Sequence, residues 1–215
     1  MPWEDVSAAI AEAAIPVTVL PADAVRAAEC LAGLGISDRS WLGAVVANTG
    51  GLLLDHGWLR VLGSGSPELP DILADAIPES RFLPIGHDVL GGRFAWLENE
   101  AGRPTVHYFG PDTLAWDDLE LGYAEWLEAM LTGWPERFYE TLRWPGWQDE
   151  VAACPSDRGI HTWPPPWTRE GKDLGAVSRK AMPIAELISF HADAARQVGA
   201  SSPVSSEATL RPDTR

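Results

Sequence analysis

The sequence predicts an α+β domain, with N-terminal helices, a mainly antiparallel central sheet and C-terminal helices that cover it. Two observations carry this prediction. Strand-like alternation is gathered into one run between Leu52 and Phe109, with helical spacing before and after it. No strand-helix-strand alternation occurs, so a parallel sheet with crossover helices is not indicated.

The elements follow in chain order. Val6, Ile10 and Ala13 share one helical face. Val25, Ala28 and Leu31 repeat the spacing between Pro21 and Gly33, a first-turn proline and a C-terminal glycine. Trp41, Leu42, Val45 and Val46 form a third stripe before Gly50 and Gly51, so three short helices are expected ahead of the first strand. Period-two segments then occur at 58–62, at Arg81-Phe82-Leu83, at 93–97 and at 105–109. The last two flank a polar stretch from Glu98 to Pro104 containing Gly102, which predicts a hairpin with Phe94 and Trp96 on one face.

Helical spacing returns with Tyr123, Trp126, Leu127, Met130 and Leu131, and a further stripe of Phe138 and Leu142 follows Pro135. From Pro155 to Lys180 the prolines 164–166, Gly171 and Gly175 read as one long loop. After Pro183, Ile184, Leu187, Ile188, His191 and Ala195 outline a terminal helix. Residues 200–215 are too poor in large apolar side chains to fold, which gives one domain over 1–199 and a disordered tail.

Composition narrows the function. The formal net charge is −15 and the sequence pI about 4.6, which disfavours phosphate backbones and anionic lipid as partners and favours a basic protein. Met1 to Ala14 carries Glu4, Asp5 and Glu12 and no basic residue, so it is not a secretory signal, and no apolar run approaches the ~20 residues that span a bilayer. A cytoplasmic location follows as the expectation. The two cysteines, Cys30 and Cys154, are far apart and lack metal-ligand spacing, and the five histidines form no paired motif, so neither metal nor cofactor is expected.

Catalytic candidates are few. His87 beside Asp88 could act as a general base, but the surrounding Gly86 to Gly92 reads as a turn without catalytic purpose. Gly63-Ser64-Gly65-Ser66 lacks the Lys-Ser/Thr of a phosphate loop and the spacing of a nucleophile elbow. The carboxylates Asp112, Asp117, Asp118, Glu120, Glu125 and Glu128 gather around one expected helix start, where capping and solubility explain most of them. Eleven tryptophans against three tyrosines are too many for a core of this size to hide completely. Trp163 and Trp167 flank the proline run and, with Asp117, Asp118 and Glu120, are the candidate partner-binding residues, pictured as an aromatic platform ringed by carboxylates.

Several blocks resemble a family of bacterial proteins known as a domain of unknown function: Asp55 to Gly65, Asp88 to Gly92, and Phe138 to Trp147. That likeness spans nearly all of the chain before the tail. A weaker one runs to the SUKH superfamily of bacterial immunity proteins, through Asn48 to Gly51, Gly86 to Trp96 and Tyr123 to Leu127. Thr49 interrupts the superfamily's Asn-Gly, and the stretch after Gly133 has no counterpart in it. The SUKH resemblance implies an α+β domain that binds and neutralises a toxin, with no catalytic residues to carry over. The leading expectation is therefore a protein-binding module that is not an enzyme, with a basic toxin as partner. The alternatives are a hydrolase using His87 and Asp88 or His161, and a cytoplasmic regulatory adaptor.

Overall fold

The computed structural model describes residues 2–74, 76 and 82–201. Among the described residues, seven strands lie in chain order in one sheet, each antiparallel to the next, and a separate two-stranded hairpin stands near the C-terminal end. The α+β expectation and the antiparallel sheet both hold.

Helix α1 (Pro2–Ala11) buries Val6, and strand β1 (Val17–Pro21) follows it, so a strand precedes the second helix, contrary to expectation. Alternation could not announce β1, because Leu20 is its one buried residue. What recruits it is backbone pairing with β2 (Thr49–Leu54), and as an edge strand it tolerates Pro21, where the register slips. Helix α2 (Ala24–Leu34) therefore begins after Pro21, at Asp23, whose Oδ1 accepts from the Val25 and Arg26 amides, both at 2.9 Å. It ends at Gly35 rather than Gly33. Its buried face is Ala27 and Cys30; of the expected stripe, Leu31 packs partly buried against the core, whereas Val25 is 70% exposed and Ala28 is exposed.

Helix α3 (Trp41–Asn48) is capped by Ser40 and runs directly into β2, which pairs with β3 (Leu59–Leu62). Strand β4 (Leu83–Asp88) begins later than Arg81, which lies outside the described residues, and it continues through Gly86 and His87. The expected turn over 86–92 is thus a buried strand end followed by a shorter turn. Gly86 permits this because a Cβ there would sit 2.8 Å from the Arg60 carbonyl oxygen of the neighbouring strand. Strands β5 (Arg93–Glu98) and β6 (Pro104–Phe109) pair over six residues as the sequence predicts. Strand β7 (Trp116–Asp118) closes the far edge; Asp117 and Asp118 belong to it and not to a helix start.

In helix α4 (Tyr123–Leu131) all five stripe residues are buried. After it come the short helices α5 (Trp134–Phe138) and α6 (Trp147–Ala152). The stretch expected as a long loop contains β8 (Arg158–Trp163), paired over six residues with β9 (Ser178–Pro183). Helix α7 (Ile184–Ser201) packs on that hairpin. The expected tail lies, from residue 202 onward, outside the described residues. Among the described residues no helix is long and apolar enough to cross a membrane.

The core is aromatic on the side of the sheet facing α3 and α4. Trp58 meets Tyr139, Trp144 and Trp147 with ring centroids 5.4, 5.7 and 5.1 Å away, and Phe94 meets Trp126 at 5.2 Å. Arg143 lies over the Trp147 ring at 4.1 Å and over Trp58 at 5.1 Å, and pairs with Asp55 in the β2–β3 turn.

Candidate functional site

Residues paired across an antiparallel sheet share a face, and the next residue along each strand takes the other face. The register therefore lines up Leu53, Arg60, His87, Arg93, Phe109 and Trp116 in one row from β2 to β7. Asp88 belongs to the opposite face, with Leu59 and Tyr108.

On that core face the Asp88 carboxylate is fully engaged. Oδ1 accepts from the amides of Leu90 and Gly92, both at 2.9 Å, and Oδ2 accepts from the Tyr108 hydroxyl at 2.7 Å. A Cβ on Gly92 would lie 2.1 Å from Asp88 Oδ2 and 2.5 Å from Tyr108 Oη, so the turn requires glycine there. Burial raises the Asp88 carboxyl to about 6 against the lowering pull of Tyr108 and the two amides. The group braces the β4–β5 turn.

On the other face, Arg60 is 1% exposed, and its guanidinium donates to the carbonyls of Gly57, Ser156 and Arg158, which ties the base of β8 to the sheet. Burial pulls its pKa down. His87 beside it is 5% exposed, and its Nε2 has no hydrogen-bond partner among the described residues. Burial, with the Arg60 charge adding to it, lowers the His87 imidazole to about 3, so it is neutral at pH 7. Arg93 lies over the rings of Phe109 and Trp116, at 5.1 and 5.2 Å. His87 and Arg93 line a cleft of about 710 Å³ between this face and α7.

The other catalytic candidate, His161, packs edge-on against Phe190 at 5.4 Å, beside Trp167 and a buried His191 that burial holds down at about 4. This aromatic cluster encloses no water-sized space. Among the described residues no three of His, Cys, Asp or Glu come together as metal ligands.

The candidate binding residues divide. Trp163, at the end of β8, is 62% exposed, while Trp167 rests on Phe190 and is partly buried. Asp117, Asp118 and Glu120 are exposed on β7 and the turn after it, in the other sheet. The segment 158–183 that carries both tryptophans holds Arg158, Arg169, Lys172, Arg179 and Lys180 against Glu170 and Asp173, so it is locally basic. A platform ringed by carboxylates is corrected accordingly: the indoles and the carboxylates sit on different elements.

Arg60 and Arg93 went unnoticed in the sequence, although each is a lone cation inside an apolar strand pattern, and that anomaly marks both. The cleft itself has no sequence signal, since its walls come from residues as far apart as Leu62 and Ile188.

The chain is 35% identical over 192 residues to the protein YbfG of Escherichia coli (strain K12), covering 86% of this chain and 88% of that one. It is 36% identical over 162 residues to an uncharacterized protein of Haemophilus influenzae, covering 69% and 70% of the two chains. A family model described as protein of unknown function DUF2625 matches residues 1–187. With that span and those relatives, the chain belongs to the DUF2625 family, in agreement with the resemblance read from its sequence blocks.

Proposed function

We propose that this chain works by binding another protein and not by catalysis, with Trp163 as the anchor of the contact. The observation that carries the reading is the indole itself: 62% exposed, at the end of a strand whose start is held to the sheet through Arg60. A large aromatic presented on a fixed element gives contact area at little entropic cost, which is the character of an interface hot spot. The engaged state of Asp88 supports a non-catalytic role, because a carboxylate committed to two amides and a tyrosine, on the face away from His87, has no lone pair directed at that imidazole. The sealed cluster around His161 supports it too.

The SUKH resemblance makes toxin neutralisation in the cytoplasm the specific form proposed. A basic toxin suits a net charge of −15, since steering acts through the whole field while the local contact is made by the hairpin. The test is photo-cross-linking in the native host, with p-benzoylphenylalanine placed at position 163 and, in a second variant, at the exposed position 25 of α2. A discrete protein adduct from position 163 and none from position 25 is expected. Adducts absent from both, or equal from both, would refute the anchor.

A further inference from the structure

Strand β9 is the outer strand of its hairpin, and β7 is an outer strand of the main sheet. Their backbone bonds fix which groups each edge offers. The Ile160 amide donates away from the hairpin to Val89 O at 2.6 Å, and the Ile184 amide donates to Asp157 O at 3.0 Å. Ile160 stands opposite Ala181, so Arg179 and Ala181 direct their N–H and C=O groups outward from β9. On β7 the inward bonds run from Leu119 N to Val106 O at 2.9 Å and from Gly110 N to Ala115 O at 3.2 Å, which leaves the backbone groups of Trp116 and Asp118 pointing outward. Among the described residues no strand pairs with either of these edges.

The two edges are opposite in charge. The basic segment 158–183 contains both lysines of the chain, Lys172 and Lys180, whereas residues 110–122 hold Asp112, Asp117, Asp118 and Glu120 and no cation. Laid antiparallel, Arg179 meets Asp118 and Ala181 meets Trp116, each pair exchanging two backbone bonds. Lys180 then falls directly opposite Asp117, with Cβ atoms about 5 Å apart. Both side chains are exposed, and neither has a hydrogen bond or ion pair among the described residues. The Arg179 side chain is engaged by Glu150, which leaves Lys180 to set the register. Pairing either edge with its own copy would instead oppose Lys180 to Lys180 or Asp117 to Asp117, which is unfavourable. We infer that β9 of one copy takes β7 of a second copy as an added antiparallel strand, held in register by Lys180 and Asp117. Because two different edges meet, the contact joins copies head to tail. The net charge of −15 repels copies at a distance, but at physiological salt the screening length is about 8 Å, and the opposed pair lies inside it. The contact is separate from the Trp163 anchor and does not depend on it.

The experiment is sedimentation velocity of the full chain from about 10 μM to about 1 mM at about 0.15 M salt, alongside Lys180→Glu and Asp117→Lys, each verified as folded by circular dichroism. Wild type should associate as its concentration rises, and each single variant should associate about tenfold or more weakly. An equimolar mixture of the two variants again sets opposite charges at every contact between unlike chains, so it should recover association. Zero-length carbodiimide coupling of mixed isotopically light and heavy wild-type chains should join Lys180 of one copy to Asp117 of another. If a variant does not fold, that cross-link decides alone. Four results would each overturn the proposal: a wild type that stays monomeric throughout, single variants that associate as well as wild type, a mixture no better than its parts, or no cross-link from Lys180 to Asp117 between copies.

Discussion

His87 and Asp88 are consecutive residues of β4 that face opposite sides of the sheet, one toward an open cleft and the other into a closed hydrogen-bonded turn. Burial acts on both and favours the neutral form of each, raising the acid to about 6 and lowering the base to about 3.

Their contributions to pH-dependent stability oppose one another. The native state holds the Asp88 proton more tightly than the unfolded chain does, so Asp88 costs stability above about pH 6 and that cost fades as pH falls toward the ordinary carboxylate range. His87 does the reverse. The unfolded chain accepts a proton below 6.5 that the native state refuses until about 3, so stability is lost as pH falls between those values. On going from about pH 7 to about pH 5, His87→Leu should lose about 2 kcal/mol less than wild type, and Asp88→Asn about 1 kcal/mol more. Urea unfolding at the two pH values checks this, and equal losses in all three proteins would contradict it.

Arg60 holds the base of β8 through the carbonyls of Ser156 and Arg158. In Arg60→Met the apolar stem remains but these bonds are lost. The Ile160 amide, which donates to Val89 O at 2.6 Å, should exchange its hydrogen at least about tenfold faster, with a smaller change in the buried turns of α4. Uniform acceleration through the protein would mean that Arg60 serves global stability only.

The Arg143 guanidinium stacks over Trp147 and Trp58 while pairing with Asp55. Lysine keeps the charge but not the plane, so Arg143→Lys should cost about 1 to 2 kcal/mol in chemical unfolding. A cost near zero would show that charge alone matters there.

Two elements were legible because each buries one regular face. The stripe from Tyr123 to Leu131 became α4 with all five residues inside, and the alternation at 93–97 and 105–109 became the β5–β6 hairpin. Strand β1 was illegible because its side chains are mostly exposed and only its backbone pairs, and β7 because three residues carry no period. Strand β8 was hidden by the prolines that follow it, and the end of β4 by glycines whose missing side chains admit a neighbouring carbonyl and a carboxylate. For the site, the sequence singled out Trp163 as an exposed indole, whereas the cleft depends on a register that brings Arg60, His87 and Arg93 into line.

Exposure separates the tryptophans energetically. Trp126 is fully buried against Phe94 and Tyr123, so Trp126→Ala should cost about 3 to 5 kcal/mol, while Trp163→Ala should cost less than about 1 kcal/mol. Trp167, resting on Phe190 and His191, should fall between them. Denaturant unfolding of the three variants checks the order, and a Trp163→Ala loss equal to that of Trp126→Ala would remove the exposed anchor.

The most direct measurement is the affinity of wild type and Trp163→Ala for a protein captured from host lysate on the tagged full chain, with both proteins verified as folded. A binding anchor at position 163 predicts a loss of about 2 kcal/mol or more, roughly thirtyfold in Kd, with the unfolding midpoint nearly unchanged. An unchanged Kd for Trp163→Ala would contradict it.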